Sequence, residues 1–145
     1  MASVPAGRLP WHLWAVGLVS LLWNGFGGYD FSMSMTRNAD YLANFPPEMI
    51  ALLDSFPVWA EAVWAVGVWG SVLGSLLLLA RSHWAATAVL LSLAGALVSL
   101  AYQLTLDVPP ALGETSTVIM PFVILVVILL QWLYARRMAA ARVLR

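Results

Sequence analysis

The fold is decided by residues 57–106, PVWAEAVWAVGVWGSVLGSLLLLARSHWAATAVLLSLAGALVSLAYQLTL. Two apolar runs, 57–80 and 84–106, each exceed the roughly 20 helical residues that cross about 30 Å of hydrocarbon. Only Arg81-Ser82-His83 separates them. Because a connection this short joins neighbouring elements, the stretch predicts an antiparallel hairpin of two transmembrane helices.

Two further apolar runs flank this hairpin, at about residues 11–30 and 117–135, and an extension of the first helix towards Met35 stays open. The whole chain is 62% hydrophobic and only 10% charged, whereas soluble domains carry about 25% charged residues. So few charges cannot cover a surface that faces water. The sequence therefore predicts an all-α, four-helix transmembrane bundle that forms a single integral membrane domain over residues 1–145.

The longest connection, residues 36–56, contains a candidate short helix. Pro46 and Pro47 precede Glu48, and proline is favoured in the first turn of a helix. Apolar residues follow at Met49, Ile50, Leu52 and Leu53. This pattern predicts a short helix with one apolar face lying along the membrane surface, with a plain surface loop as the open alternative.

The arginines indicate the orientation of the bundle. All but one of the seven basic residues fall on the same side of the four predicted helices; these are Arg8, Arg81, Arg136, Arg137, Arg142 and Arg145. Only Arg37 falls on the other side. Because arginine and lysine concentrate in cytoplasmic loops, both termini are predicted to be cytoplasmic and the 36–56 loop external. The absence of lysine, together with the abundance of Ala, Leu, Val and Trp, is typical of GC-rich bacterial coding, so we expect a multi-pass protein of a bacterial inner membrane.

Small residues predict how the central helices pack. Gly67, Gly70 and Gly74 share one face of the second predicted helix, and the third carries a matching stripe of Ser92, Ala96 and Ser99. Close backbone approach over small residues supplies van der Waals contact between helices in lipid. Packing within one chain is the first interpretation, and a homodimer seam is the second.

Polar residues within apolar helices are the candidate site, because they are costly in a membrane and usually functional. They are Asn24, Asp30, Glu61, Tyr102 and Gln103. With Asp30 taken as the external end of the first helix, they fall in the external third of the membrane and predict a polar vestibule. Three uses stay open: a hydrogen bond between Asn24 and Gln103 that holds the first and third helices together, binding of a solute or ion, and a proton-linked carboxylate at Glu61.

Several functional classes are disfavoured by the sequence. It has no phosphate-binding loop, no His pair at metal-ligand spacing, no nucleophile triad and no cysteine. We therefore expect no catalysis, no cofactor and no metal, and the net charge of zero argues against nucleic acid as a partner. The favoured function is an accessory or scaffold subunit of a larger membrane complex, or a homo-oligomer. The alternative is a small transporter of a solute or ion, sugar-specific or proton-linked.

Several segments together resemble a known group of proteins. They are Trp23-Asn24-Gly25-Phe26-Gly27-Gly28-Tyr29-Asp30-Phe31, then Tyr41-Leu42, Phe56-Pro57-Val58-Trp59 and the run from Val68 to Leu79. Over about residues 11–135 the chain resembles a family of short bacterial four-helix inner-membrane proteins that often carry the label "sugar transporter". The resemblance implies the four-helix fold and, through that label, sugar transport.

Overall fold

A helical hairpin forms the centre of the protein, whose computed structural model describes residues 9–145. Its helices are α4 (Val58–Leu79) and α5 (Trp84–Gln103). The other elements are α1 (Trp11–Met35), α2 (Ala39–Leu42), α3 (Pro47–Asp54), a 3-10 turn (Pro110–Leu112), a π-helical turn (Thr115–Ile119) and α6 (Met120–Ala140). Within the described residues the chain is all-helical, as predicted. Arg8 of the orientation argument lies outside them.

The hairpin packs through the predicted small-residue stripes. The backbone of Gly67 lies against Ala96 and that of Gly70 against Ser92. The Ser92 hydroxyl donates a short hydrogen bond to the carbonyl of Gly67. Gly95 approaches most closely, because a Cβ added there would lie 2.8 Å from the amide nitrogen of Gly67. The glycines therefore allow the two backbones to approach to a distance that larger side chains would prevent.

The outer helices pack on different members of the hairpin, α1 on α4 and α6 on α5. α1 runs antiparallel to α4, so that Gly17 meets Leu79 at one end and Phe31 meets Trp64 near the other. α6 packs on α5 around Val89, Leu93 and Ile128. We call the end where α1 begins, α4 joins α5 and α6 finishes the tail end, and the opposite end the loop end.

Three helices are long and apolar enough to cross a membrane among the described residues: Val58–Leu79, Trp84–Gln103 and Thr117–Ala140, with mean hydropathies of 1.9, 1.9 and 2.5. α1 has 25 residues but is not one of them, because glycine, tryptophan and polar residues lower its hydropathy. Three such helices fit a multi-pass membrane protein.

The helix boundaries differ from the predicted ones at three points. α1 continues past residue 30 to Met35, the extension that the sequence left open, because nothing in Phe31–Met35 breaks a helix. α6 continues to Ala140 through the pair Arg136 and Arg137, whose charges suit the negative end of a helix. The 36–56 connection holds α3 at the predicted place and also α2, which was not predicted.

Three long helices end in the same way, with an arginine in the left-handed conformation just past the helix. Arg37, Arg81 and Arg142 have φ values of 51°, 60° and 55°. After α1, for example, the amide of Asn38 donates to the carbonyl of Met33 at 3.1 Å, which completes a Schellman motif. Glycine usually occupies this position, so each arginine adopts a backbone conformation that side chains disfavour.

The last five residues, 141–145, form a strap across the tail end. The Arg145 amide donates to the carbonyl of Arg81 at 2.6 Å, and the His83 amide donates to the carbonyl of Arg145 at 2.8 Å. Leu144 is only 5% exposed and packs with Leu13 and Leu78. The strap therefore ties the end of α6 to the turn between α4 and α5.

Candidate functional site

A closed ring of hydrogen bonds joins α1, α4 and α6 inside the bundle. The Asn24 side-chain amide donates to Ser75 Oγ at 2.9 Å and to Gln131 Oε1 at 2.8 Å. Gln131 Nε2 in turn donates to Ser75 Oγ at 3.0 Å. The Ser71 carbonyl accepts from Ser75 Oγ at 2.9 Å and lies 3.2 Å from Asn24 Nδ2. We call Asn24, Ser71, Ser75 and Gln131 the interhelical polar network.

The network is buried and uncharged. Asn24 and Gln131 are 5% and 4% exposed, and Ser75 is fully buried. In a medium without water, each amide group must find its partners within the protein. Because the three side chains satisfy one another across three helices, the arrangement fixes the rotation of each helix and leaves no ionisable group in the ring.

The position of Asn24 differs from the predicted one. It lies level with Ser71 and Ser75, which follow Glu61 by 10 and 14 residues, or roughly 15–21 Å along the helix. The prediction placed Asn24 beside Glu61 because it took Asp30 as the end of the first helix. α1 in fact ends at Met35, so Asn24 lies deeper and nearer the tail end.

Asp30 is engaged separately, at the loop end. Its carboxylate accepts a hydrogen bond of 2.5 Å from the hydroxyl of Tyr41 in α2. Burial, together with this bond to Asp30, raises the pKa of Tyr41 from its ordinary value near 10 to about 12. The Tyr41 ring also meets Tyr29 edge-on at 5.6 Å. This contact fastens α2 onto α1.

Arg37, the exception to the arginine distribution, has a carboxylate partner. Its guanidinium lies 2.7 Å from the Asp54 carboxylate at the end of α3 and also donates to the Ser34 carbonyl at 2.7 Å. Both side chains are partly exposed, so the ion pair itself contributes at most about 1 kcal/mol. It nonetheless joins the end of α1 to α3 and offsets the one positive charge at this end.

The remaining candidates lie at the loop end in separate surroundings. Glu61 is half-buried in the first turn of α4. Gln103 donates to Ser99 Oγ at 3.2 Å within α5, and the Tyr102 ring meets Trp59 at 4.9 Å. The structure therefore distributes the five predicted residues among different contacts. The predicted hydrogen bond between Asn24 and Gln103 is replaced by bonds from Asn24 to Ser75 and Gln131.

The glycines beside Asn24 leave α1 intact. The helix runs unbroken past Gly25, Gly27 and Gly28. The carbonyl of Gly28 accepts a 2.7 Å hydrogen bond from Ser32 Oγ. The Cα of Gly28 packs against the Trp69 ring, so that an added Cβ would lie 3.4 Å from it. These glycines therefore make no break in α1.

A purely apolar groove with a volume of about 390 Å³ lies on the loop half of α6. Its lining residues are Val118, Ile119, Phe122, Val123, Val126 and Val127. A smaller cleft of about 300 Å³ lies between α3 and the 3-10 turn, with Glu48, Ser55 and Asp107 in its wall. Among the described residues no group of three His, Cys, Asp or Glu side chains is placed to hold a metal ion.

Sequence reasoning missed Ser71, Ser75 and Gln131 as members of the network. In the sequence, Ser71 and Ser75 lie beside the glycines of the second apolar segment, and Gln131 lies near the inner end of the fourth. A signal was present, because the first, second and fourth apolar segments each carry a polar side chain within an apolar run. A search of protein families, curated proteins and solved structures gives no match to this chain.

Proposed function

We propose that the chain is a non-catalytic, four-span protein of a bacterial inner membrane that serves as an accessory or scaffold subunit of a larger membrane complex. In this proposal α1 is the fourth span. Its 25 residues correspond to about 37 Å, more than the roughly 30 Å of hydrocarbon. It also lies along α4, from Leu79 at the tail end to Trp64 towards the loop end.

The charges support a cytoplasmic tail end. The described arginines there are Arg81, Arg136, Arg137, Arg142 and Arg145, whereas all seven carboxylates of the chain lie in the loop half. Arginine bias is the part of this asymmetry that orients membrane proteins. Reporter fusions after Arg145 and within the turn at Ser82 should both give cytoplasmic signals, and a fusion at Asn44 an external one.

The observation that carries the accessory role is the surface of α6. Only 17% of the apolar stretch of the helix over Thr117–Ala140 is buried within the chain, against 44% of the corresponding stretch of α5. The face left uncovered includes the apolar groove around Phe122 and Val126. A side chain lining a solute path would be polar, whereas this face suits the apolar side of a partner's transmembrane helix.

The polar groups in the interior of the bundle also favour a structural role over transport. Its buried amides, Asn24 and Gln131, are occupied by bonds to each other and to Ser75. Opening a path for a solute would require breaking these bonds in a medium that offers no replacement. The network is therefore better suited to holding helices than to binding cargo.

The test is photo-crosslinking in native membranes from a probe residue placed on α6. A probe at Val126 should give discrete crosslinks to a second protein, and one at Leu97 on the exposed side of α5 should give few. Purification in mild detergent should recover the chain with that protein. A lone monomer, or equal crosslinking from both positions, would overturn the accessory role.

Transport is the competing function, and proteoliposome uptake distinguishes it. Uptake of sugars or cations by the purified chain, abolished in Glu61→Gln, would replace the accessory role with transport. We expect no uptake above that of empty vesicles.

A further inference from the structure

The tail end carries a positive surface that the accessory role does not use. Five arginines lie there, and among the described residues no Asp or Glu side chain is in that half of the bundle. Within the described residues the ion pair between Arg37 and Asp54 is at the other end. The net charge of the chain is zero, but the charges are separated, with most of the positive ones at the tail end and the Asp and Glu side chains in the loop half.

The fold gathers these arginines from three parts of the chain. The strap lays Arg142 and Arg145 beside the α4–α5 turn, where the guanidinium of Arg81 lies 3.4 Å from the carbonyl of Val143. The strap is anchored by its backbone and by Leu144. The side chains of Arg142 and Arg145 are consequently exposed rather than used to hold the strap.

An aromatic ring positions one of the guanidinium groups. Arg136 lies over the Trp132 ring, 4.7 Å from its centroid, which is a cation–π arrangement. Trp11 and Trp84 are also exposed at this end. Indole rings favour the headgroup level of a bilayer, so Arg136 is held at the depth where lipid phosphates lie.

We infer that the tail end binds the phosphate of anionic phospholipids in the leaflet that it contacts, with Arg136, Arg137, Arg142 and Arg145 as the binding side chains. Guanidinium groups bind phosphate oxygens in pairs, and basic clusters beside transmembrane helices select anionic lipids. The inference rests on the proposed membrane insertion, which places this end at a lipid–water interface.

Native mass spectrometry of the purified chain in neutral detergent tests the inference, with phosphatidylglycerol and phosphatidylcholine as the probes. We expect phosphatidylglycerol adducts at lower lipid concentration than phosphatidylcholine adducts. Arg136→Gln should weaken phosphatidylglycerol binding about fivefold, since each such arginine contributes about that factor near an anionic surface. Arg136→Lys should restore most of the loss, because it retains the charge.

The matched control is Arg37→Gln at the loop end, which should leave lipid binding unchanged. Equal binding of both lipids, or equal weakening by the control, would overturn the inference. Displacement of the lipid by millimolar inorganic phosphate would also overturn it, because the site would then select a free anion. Since this experiment involves no partner and no sidedness, its failure would leave the accessory role standing, and failed crosslinking would leave the lipid surface standing.

Discussion

Replacing Asn24 with alanine removes the one side chain that bonds to both α4 and α6. The variant loses the 2.9 Å bond to Ser75 and the 2.8 Å bond to Gln131. Interhelical hydrogen bonds in membranes contribute about 0.6 kcal/mol on average and up to about 1.7. Asn24 Nδ2 also donates to the Ser71 carbonyl at 3.2 Å, but its two hydrogens make the equivalent of two full bonds. We therefore expect Asn24→Ala to lower the free energy of unfolding by about 1–3 kcal/mol.

A double-mutant cycle isolates the direct contact between α1 and α6. Comparing Asn24→Ala, Gln131→Ala and the double variant should give a coupling energy of about 0.6–1.7 kcal/mol. The bond between Gln131 and Ser75 is removed by the second change only, so it drops out of the coupling. The measurement is reversible unfolding in mixed dodecyl sulfate and neutral-detergent micelles, followed by circular dichroism.

The matched control pairs Asn24 with Gln103, the partner that the sequence predicts because the estimated depths of the two residues in the membrane are similar. Gln103 bonds to Ser99 of its own helix in the structure, so the coupling of Asn24→Ala with Gln103→Ala should be near zero. Coupling with Gln103 and none with Gln131 would refute the network and restore the predicted vestibule. This one cycle therefore decides between the two placements of Asn24.

Three further perturbations test other parts of the structure. Gly95→Ala places a methyl group 2.8 Å from the backbone of Gly67 and should destabilise the fold by about 1–3 kcal/mol in the same assay. Its control is Gly27→Ala, whose methyl group would have nothing within 4 Å and should stabilise the fold by about 0.5–1 kcal/mol. Similar effects for both variants would contradict the close packing of α4 on α5. Arg142→Gly, which relieves a φ of 55°, should raise stability by about 1 kcal/mol relative to Arg142→Ala, and no difference would contradict the left-handed strap turn. Tyr41 should titrate near pH 12, so the stability that its bond to Asp30 contributes is present below about pH 10 and is lost as pH rises towards 12. Ultraviolet absorbance of tyrosinate measures this titration. If Tyr41→Phe removes a tyrosinate signal near pH 10, the raised pKa of Tyr41 is contradicted.

The central hairpin was predictable because its information is local. Apolar runs of the right length on either side of Arg81-Ser82-His83 leave two antiparallel neighbours as the simple solution. The small-residue stripe also identifies which faces meet, since Gly67, Gly70 and Gly74 share one side of the helix. Gly95, the closest approach, was missed because it lies beside the predicted stripe of Ser92, Ala96 and Ser99.

The candidate site was harder to predict because it depends on relations between distant helices. The predicted depth set Asp30 level with the start of α4 at Pro57, whereas Phe31 in fact meets Trp64, seven residues further along that helix. Asn24 is therefore level with Ser71 and Ser75 instead of Glu61. Pairing with Gln131 depends on how far α6 is rotated, and an almost uniformly apolar helix carries little periodicity to fix that rotation. Hydrogen-bond partners separated by 107 residues therefore required coordinates.

The positive-φ arginines connect the local backbone with the membrane topology. Glycine would end each of these helices with less strain, yet Arg81 and Arg142 place charge at the tail end, the end that we propose to be cytoplasmic and therefore rich in arginine. Arg37 ends α1 in the same way at the loop end, which the same proposal makes external. There the charge is paired with Asp54 at 2.7 Å. Among the described arginines, the one at the loop end is thus the one that forms an ion pair, which is the arrangement expected if the arginines at the tail end orient the chain.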